Sequence, residues 1–148
     1  MYRIAISKQV KSCKINRNLI RKAVRVVLQQ AGIETAEISI AIVDDATIAQ
    51  LHGQYLGDPT PTDVLSFVLE EGDHHLEGEI VASAETAAAW AKRLAWPCEN
   101  ELLLYIVHGT LHLVGFDDQT PAARRKMRRE EKAVLHKLGV IPPVRRRR

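Results

Sequence analysis

The sequence lacks the features that mark membrane, secreted and disulfide-rich proteins. No apolar run approaches the roughly 20 residues needed to cross a bilayer. The first residues alternate apolar and polar side chains and do not form the continuous apolar stretch of a secretory signal. The only cysteines, Cys13 and Cys98, make no disulfide framework, and their spacing is not that of a zinc motif. These absences favour a cytoplasmic protein without a membrane segment.

What is present suits one soluble globular domain. The chain has 148 residues, of which 46% are hydrophobic and 26% charged. We find no internal repeat, and the four terminal arginines are the only low-complexity segment. We therefore expect residues 1–148 to form a single domain, with residues 143–148 as a basic, flexible tail.

Hydrophobic periodicity predicts strands and helices that alternate along the chain. Strand patterns cover residues 2–7, 37–43, 63–69 and 78–82, and helix patterns cover residues 17–31, 44–51, 84–95, 99–115 and 120–138. Prolines 59 and 61 place an irregular loop before the third strand. The pattern predicts an α/β (α+β) domain, with a mixed sheet of about four strands and about five helices. The fourth helix is apolar almost all round and is therefore expected to be buried.

Two histidines stand four residues apart in that helix, within the segment HGTLHLVGFDD (108–118). Residues i and i+4 share a helix face, so His108 and His112 can direct both imidazoles to one point. A buried polar group without a partner costs roughly 2–7 kcal/mol, and a divalent cation would satisfy both rings. Asp117 or Asp118 could then supply the third ligand of a zinc site. The spacing alone leaves equally open that both are core histidines bonded to backbone or carboxylates.

Gly109 follows the first histidine inside the same predicted helix, where glycine is less stable than alanine by about 1 kcal/mol. Its presence indicates that another part of the chain, or a substrate, approaches closely. It also occupies the position at which zinc proteases of the HExxH type carry their catalytic glutamate. Peptide hydrolysis is therefore disfavoured.

Charge is segregated along the sequence. Residues 1–30 contain eight Lys or Arg and no acid, whereas residues 34–101 contain fourteen Asp or Glu and only two basic residues. Residues 102–148 contain eleven basic residues and four acids. Three of the N-terminal arginines recur at four-residue intervals on the outer face of the first predicted helix, namely Arg17, Arg21 and Arg25. This segregation indicates contact with a polyanion, and these arginines are the predicted phosphate contacts. Solvated helix faces and a free tail are the alternative explanation.

The segment HGTLHLVGFDD also resembles the signature HGxLHLxGYDH of the YbeY family, which are single-domain, metal-dependent endoribonucleases of ribosomal RNA maturation. A second block, LHGQYLGDPTPTDVLSF (51–67), is similar to the family's NxxYR…PTDVLSF. A third block, LEGEIVAS (76–83), resembles LGDIVIS. The three blocks occur in the family's order and, with the expected length, cover most of the chain.

Three positions depart from the family's pattern. The family's third metal ligand is a histidine at the position of Asp118, its functionally important arginine falls on Leu56, and the Asn that opens the second block falls on His52. The first change keeps a ligand but adds a negative charge. The second removes a cation that could hold a phosphate or stabilise charge in the transition state.

The resemblance implies one divalent ion per chain, zinc, held by His108, His112 and Asp118. It further implies a metal-dependent, single-strand-type endoribonuclease of ribosomal RNA processing and ribosome quality control, with RNA and the ribosome or its proteins as partners. The sequence identifies no general base, and Asp117 could equally orient a ligand. The competing hypothesis is a ribosome-associated RNA-binding factor whose metal is structural and whose catalysis is weak or absent. Leu56 favours that second hypothesis.

Overall fold

A computed structural model describes residues 1–58 and 62–144. The predicted loop residues Pro59 and Pro61, and the four arginines of the predicted tail, lie outside this range. The elements follow in the order β1 (Tyr2–Lys8), α1 (Arg17–Gln30), β2 (Thr35–Val43), α2 (Asp45–Leu56), β3 (Val64–Gly72), β4 (His75–Ser83), α3 (Ala84–Leu94), α4 (Cys98–Leu113) and α5 (Pro121–Lys137). Every predicted strand and helix is therefore found.

The strands form one mixed sheet in the order β1-β2-β4-β3. Strand β2 pairs in parallel with β1 and β4, and β3 pairs antiparallel with β4. The predicted α+β class, with about four strands and five helices, is confirmed. The predicted strand patterns end at residue 69 and resume at residue 78, so the sequence predicts that residues 70–77 are a polar connection, and this is wrong for most of them. Backbone pairing continues past a register shift after Val68, so that only residues 73–74 remain as the turn.

The two faces of the sheet differ in what covers them. Alternate residues of β2 lie on the covered face and are buried in the main core, namely Ala36, Ile38, Ile40 and Ile42. The residues between them, such as Glu37 and Ser39, are exposed. Helix α2 covers only one end of this second face, where Ile48 packs with Val43. The polar and apolar alternation of the strands thus directs the large helices to one side of the sheet.

Helix α4 is the central element of the covered side. It packs against β3, β4, α1, α3 and α5, which explains why apolar side chains occur all round it. Eleven of its residues are buried, and they include Glu101, whose carboxylate accepts a hydrogen bond from Trp96 Nε1 at 3.0 Å. Within residues 1–58 and 62–144, neither α4 nor any other helix is long and apolar enough to cross a membrane.

Two glycines let α4 lie close to the sheet. A Cβ atom on Gly109 would lie 3.0 Å from Ile80 Cγ2 and 3.2 Å from Val64 Cγ2. On the strand side, a Cβ on Gly78 would lie 2.9 Å from Leu113 Cδ1. The close approach that Gly109 indicated in the sequence is therefore helix-to-sheet packing.

The chain turns sharply at the end of α4. Gly115 has a φ of 107°, a conformation that side-chain-bearing residues rarely adopt. Its amide donates to the His112 carbonyl at 3.1 Å, and the Phe116 amide donates to the Leu111 carbonyl at 3.0 Å. These bonds satisfy carbonyls that the helix end leaves open, and they fold residues 116–118 back.

Cys13 and Cys98 form a disulfide in the structure, with a Cα–Cα separation of 5.7 Å. They are 85 residues apart in the sequence, which is why their spacing gave no indication of contact. The bond joins the segment before α1 to the first residue of α4.

We expect Gly78→Ala to lower the free energy of unfolding by roughly 1–3 kcal/mol, the usual cost of overpacking a core. The added methyl would meet Leu113 and also the Phe67 carbonyl oxygen, 3.2 Å away. Gly72→Ala is the matched control, because a Cβ there makes only an ordinary contact of 3.7 Å. Urea denaturation of both variants measures the difference. Equal stabilities would show that α4 can shift without cost.

Candidate metal centre and cleft

Three side chains converge at the end of α4. The Nε2 atoms of His108 and His112 lie 3.0 Å apart, and Asp118 Oδ2 lies 3.6 Å from each of them. Ligands about 2.0–2.1 Å from a tetrahedral zinc ion are separated from each other by about 3.4 Å. The triangle formed by these three atoms therefore fits a zinc ion, and three protein ligands leave a fourth position for water or substrate.

The structure distinguishes between the two aspartates that follow the helix. Asp117 is exposed, and its Oδ1 accepts a hydrogen bond from the Gln119 amide at 3.1 Å. Asp118 directs its carboxylate to the histidines, and its carbonyl accepts from Arg124 Nη1 at 3.2 Å. Asp118 is therefore the aspartate that could hold an ion together with the histidines, whereas Asp117 hydrogen-bonds within the turn.

Glu131, on α5, was not identified from the sequence. Its Oε2 lies 2.6 Å from His108 Nδ1, and only 14% of its side chain is exposed. A carboxylate at that distance holds the proton on Nδ1 and leaves Nε2 free to bind an ion. The sequence nevertheless contained an indication that Glu131 faces the interior. It falls four residues after Met127 and three before Val134, and it therefore lies on the apolar stripe of α5.

The surroundings of His112 favour its neutral form. Burial lowers the pKa of His112 first, and the adjacent His108 lowers it further. The nearby Asp118 carboxylate partly opposes both effects. A metal binds the neutral imidazole, so the lowered pKa suits a ligand.

His108, His112 and Asp118, which we call the triad, border a cleft of about 720 Å³. This volume is within the usual range of about 300–1,000 Å³ for ligand sites. We call this cleft the α4 cleft. Its lining comes from α3, α4 and α5, from the segments before β3 and after α4, and from the end of the described chain: Thr62, Asp63, Thr86, Trp90, Leu104, His108, Asp118, Arg124, Met127, Arg128, Arg129, Glu131, Lys132, Pro142, Pro143 and Val144. Helix α4 packs against both α3 and α5. The cleft therefore lies over α4 and between the other two helices.

Helix α5 gives the cleft a cationic side. Arg124, Arg128 and Lys132 follow at four-residue intervals, so they lie along one face of the helix. Arg128 and Lys132 are exposed, and neither makes a hydrogen bond or ion pair with any residue in the described part of the chain. Two positive charges next to the triad therefore remain available to an anionic ligand.

The arginines predicted on α1 lie outside the α4 cleft. Arg17 Nη1 donates to the Ile6 carbonyl at 2.8 Å, and Arg21 Nε donates to the Ile4 carbonyl at 3.2 Å. Both carbonyls belong to the edge strand β1, so these two arginines cover open backbone acceptors. Arg25 is exposed. The prediction that the three arginines contact RNA remains a prediction.

A second group with metal-ligand chemistry lies on the open face of the sheet, away from the cleft lining: Glu70, His75 and Glu77. His75 already contacts the Thr35 hydroxyl through Nδ1 at 2.5 Å and Glu77 through Nε2 at 3.0 Å. Ordinary hydrogen bonds thus account for this group.

Leu56, the residue at the family's arginine position, is the last residue of α2 and is 60% exposed. It does not line the α4 cleft. The preceding Tyr55 packs its ring against Phe67, with the ring centroids 5.5 Å apart. No cation therefore stands where the family carries one.

Comparison with known proteins agrees with this geometry. The model of the family "Endoribonuclease YbeY" matches residues 5–139. An endoribonuclease YbeY of Desulfitobacterium hafniense is 42% identical over 132 residues, which is 82% of each chain. Another, from Rhodopirellula baltica, is 44% identical over 115 residues, 76% of this chain but only 59% of that protein.

The fold also matches a known solution structure of a Thermotoga maritima protein. The TM-score is 0.60 at 24% identity, and the match covers 99% of this chain and 100% of the other. This likeness bears on the fold alone, whereas the sequence matches reach the residues of the site. The chain belongs to the endoribonuclease YbeY family.

Proposed function

We propose that this protein is a zinc-dependent endoribonuclease that hydrolyses phosphodiester bonds of ribosomal RNA precursors in the cytoplasm. The observation that carries the proposal is the convergence of His108, His112 and Asp118 beside a cleft with unpaired cations. Family membership supports the reaction class. In this proposal RNA is the substrate, and the ribosome or its proteins are the partners.

Each residue of the centre has a definable task. Glu131 keeps the His108 proton on Nδ1, so that the Nε2 lone pair faces the ion position. The lowered pKa of His112 keeps its imidazole neutral. Asp118 contributes an anionic oxygen, which is a competent zinc ligand. When bound, zinc would polarise a phosphoryl oxygen and lower the pKa of a coordinated water toward about 7.

The α5 cations complete the proposed site. Arg128 and Lys132 lie on the same helix as Glu131, which contacts His108 directly, so they can hold phosphates on either side of the bond to be cleaved. Charge-assisted contacts of this kind position a strand without reading its sequence. The chain's own cleft residues thus orient the RNA backbone against the ion position.

The second candidate is a ribosome-associated RNA-binding factor with a structural metal. Leu56 is the observation that favours it, because no cation replaces the family's arginine at that position. The open fourth position of the triad favours the enzyme, since structural zinc sites use four protein ligands. Retention of RNA binding with no cleavage, with or without zinc, would identify this second function.

We expect the purified protein to contain about one zinc ion per chain and to cleave ribosomal RNA. A chelator should abolish this cleavage, and added zinc should restore it.

Asp118→Ala should lose most of the metal and the cleavage, because it removes one of three ligands. Asp117→Ala is the matched control and should keep both. Elemental analysis and gel-based cleavage assays measure these outcomes. Full metal content in Asp118→Ala would show that the carboxylate is not a ligand.

Glu131→Gln should lower zinc affinity by about 10- to 100-fold, the usual effect of removing a hydrogen-bonded carboxylate behind a histidine ligand. The amide keeps the shape of the side chain and loses its charge. Glu130→Gln removes the same charge from the neighbouring position, which makes no hydrogen bond or ion pair with residues 1–58 or 62–144. Competition with a chromophoric chelator measures both affinities. A similar loss of zinc affinity in the two variants would show that the effect comes from the overall negative charge and not from the contact between Glu131 and His108.

Replacing Arg128 or Lys132 by Ala should weaken RNA binding equally across unrelated sequences. Each change should also reduce the slope of log affinity against log salt by about 0.7, since one phosphate contact on a single strand is lost. Arg125→Ala is the control, because Arg125 is exposed on α5 and does not line the cleft. Arg25→Ala, measured in the same titrations, tests the predicted α1 contact. Equal slopes of log affinity against log salt for Arg128→Ala and Arg125→Ala would show that the cleft cations are not part of the RNA-binding site.

A further inference from the structure

Trp90 stands out on α3, the helix on the side of the α4 cleft away from the α5 cations. The helix is otherwise rich in alanine, and its buried residues are Ala84, Ala87 and Ala91. Trp90 is not part of the buried core. Its partly exposed side chain lines the cleft that borders the metal triad.

One face of the indole ring of Trp90 is in contact with a cation, and the side chain as a whole is partly exposed. The Arg93 guanidinium carbon lies 4.8 Å from the ring centroid, and Arg93 is not a cleft-lining residue. Trp90 makes no hydrogen bond to any residue within 1–58 or 62–144, whereas Trp96 donates its indole N–H to Glu101. A large aromatic side chain therefore faces the cleft with one neighbouring cation and an uncommitted N–H group.

We infer that Trp90 is a platform on which one unpaired base of the RNA stacks while Arg128 and Lys132 hold the adjoining phosphates. The inference rests on the proposed function, because it takes RNA to be the ligand of this cleft. Its support is the arrangement of the cleft, with an aromatic surface from α3, cations from α5, and the candidate metal ligands at the end of α4. Aromatic stacking combined with backbone cations is how proteins bind single strands without strong sequence preference.

This arrangement selects for an unpaired nucleotide. A base inside a duplex is already stacked and paired, and it cannot lie on a side chain unless it is unstacked. The guanidinium of Arg93 beside the indole adds a further positive charge near the bound strand. Trp90 should therefore contribute to binding of single strands and loops and make no contribution to binding of a continuous duplex.

The test measures binding of a short single-stranded oligoribonucleotide to zinc-free protein, so that cleavage does not interfere. Trp90→Leu should weaken binding about 5- to 150-fold, the range given by stacking worth about 1–3 kcal/mol per base. Trp90→Phe should recover most of this loss, because it restores an aromatic face. The salt dependence should stay unchanged in Trp90→Leu and fall in Lys132→Ala, since only the lysine contacts a phosphate. A blunt-ended, fully paired duplex of the same length should bind all Trp90 variants equally.

Tryptophan fluorescence gives an independent measurement. A stacked base should quench the emission of the unmodified protein, and the Trp90→Phe variant should bind without this quenching because Trp96 does not line the cleft. Equal single-strand affinity of Trp90→Leu and the unmodified protein would overturn the inference, as would a loss that Phe does not recover. If the binding pattern is found and no RNA is cleaved with zinc present, the platform stands and the proposed nuclease function fails.

Discussion

The close contact between α4 and the sheet is the constraint on which the rest of the site depends. Gly109 faces Ile80 and Val64, and Gly78 faces Leu113, so the helix and the strands meet where a Cβ would not fit without displacement. His108 and His112 immediately precede Gly109 and Leu113, respectively, in the sequence. The packing of α4 against the sheet therefore fixes the distance of both imidazoles from the sheet and the direction in which they leave the helix. A ligand pair built on a rigid buried helix is held more accurately than one built on a loop.

The sequence predicted those parts of the site that local geometry determines. Helical spacing brings the two histidines together, and the glycine after the helix folds Asp118 back to them. Glu131 was missed because its contact with His108 spans 23 residues and depends on how α5 docks on α4. The Cys13–Cys98 bond was missed for the same reason. Periodicity describes one element at a time, whereas these contacts require knowledge of which elements are neighbours.

Strand boundaries show a second limit of the sequence pattern. The segment 70–77 is polar and was assigned mostly to a loop, yet backbone hydrogen bonds extend β3 and β4 through it. Side-chain hydropathy reports whether a strand is covered, and in this segment Leu76 alone is buried whereas residues 70–74 are exposed. Its antiparallel pairing continues past the register shift after Val68, and residues 75–77 also pair in parallel with β2, so partners distant in the sequence extend the two strands.

The charges of the centre explain where phosphate attraction must come from in this chain. If zinc binds as proposed, the carboxylates of Asp118 and Glu131 balance the two positive charges of the ion, and the two imidazoles add none. The family's histidine in place of Asp118 would leave one positive charge there. Position 56 is also uncharged, and all arginines and lysines among the described residues that line the cleft belong to α5, Arg128 and Lys132 among them. In the proposed function, one helix would then supply both the carboxylate that orients His108 and the charges that hold RNA, so that its docking on α4 would set the reaction geometry.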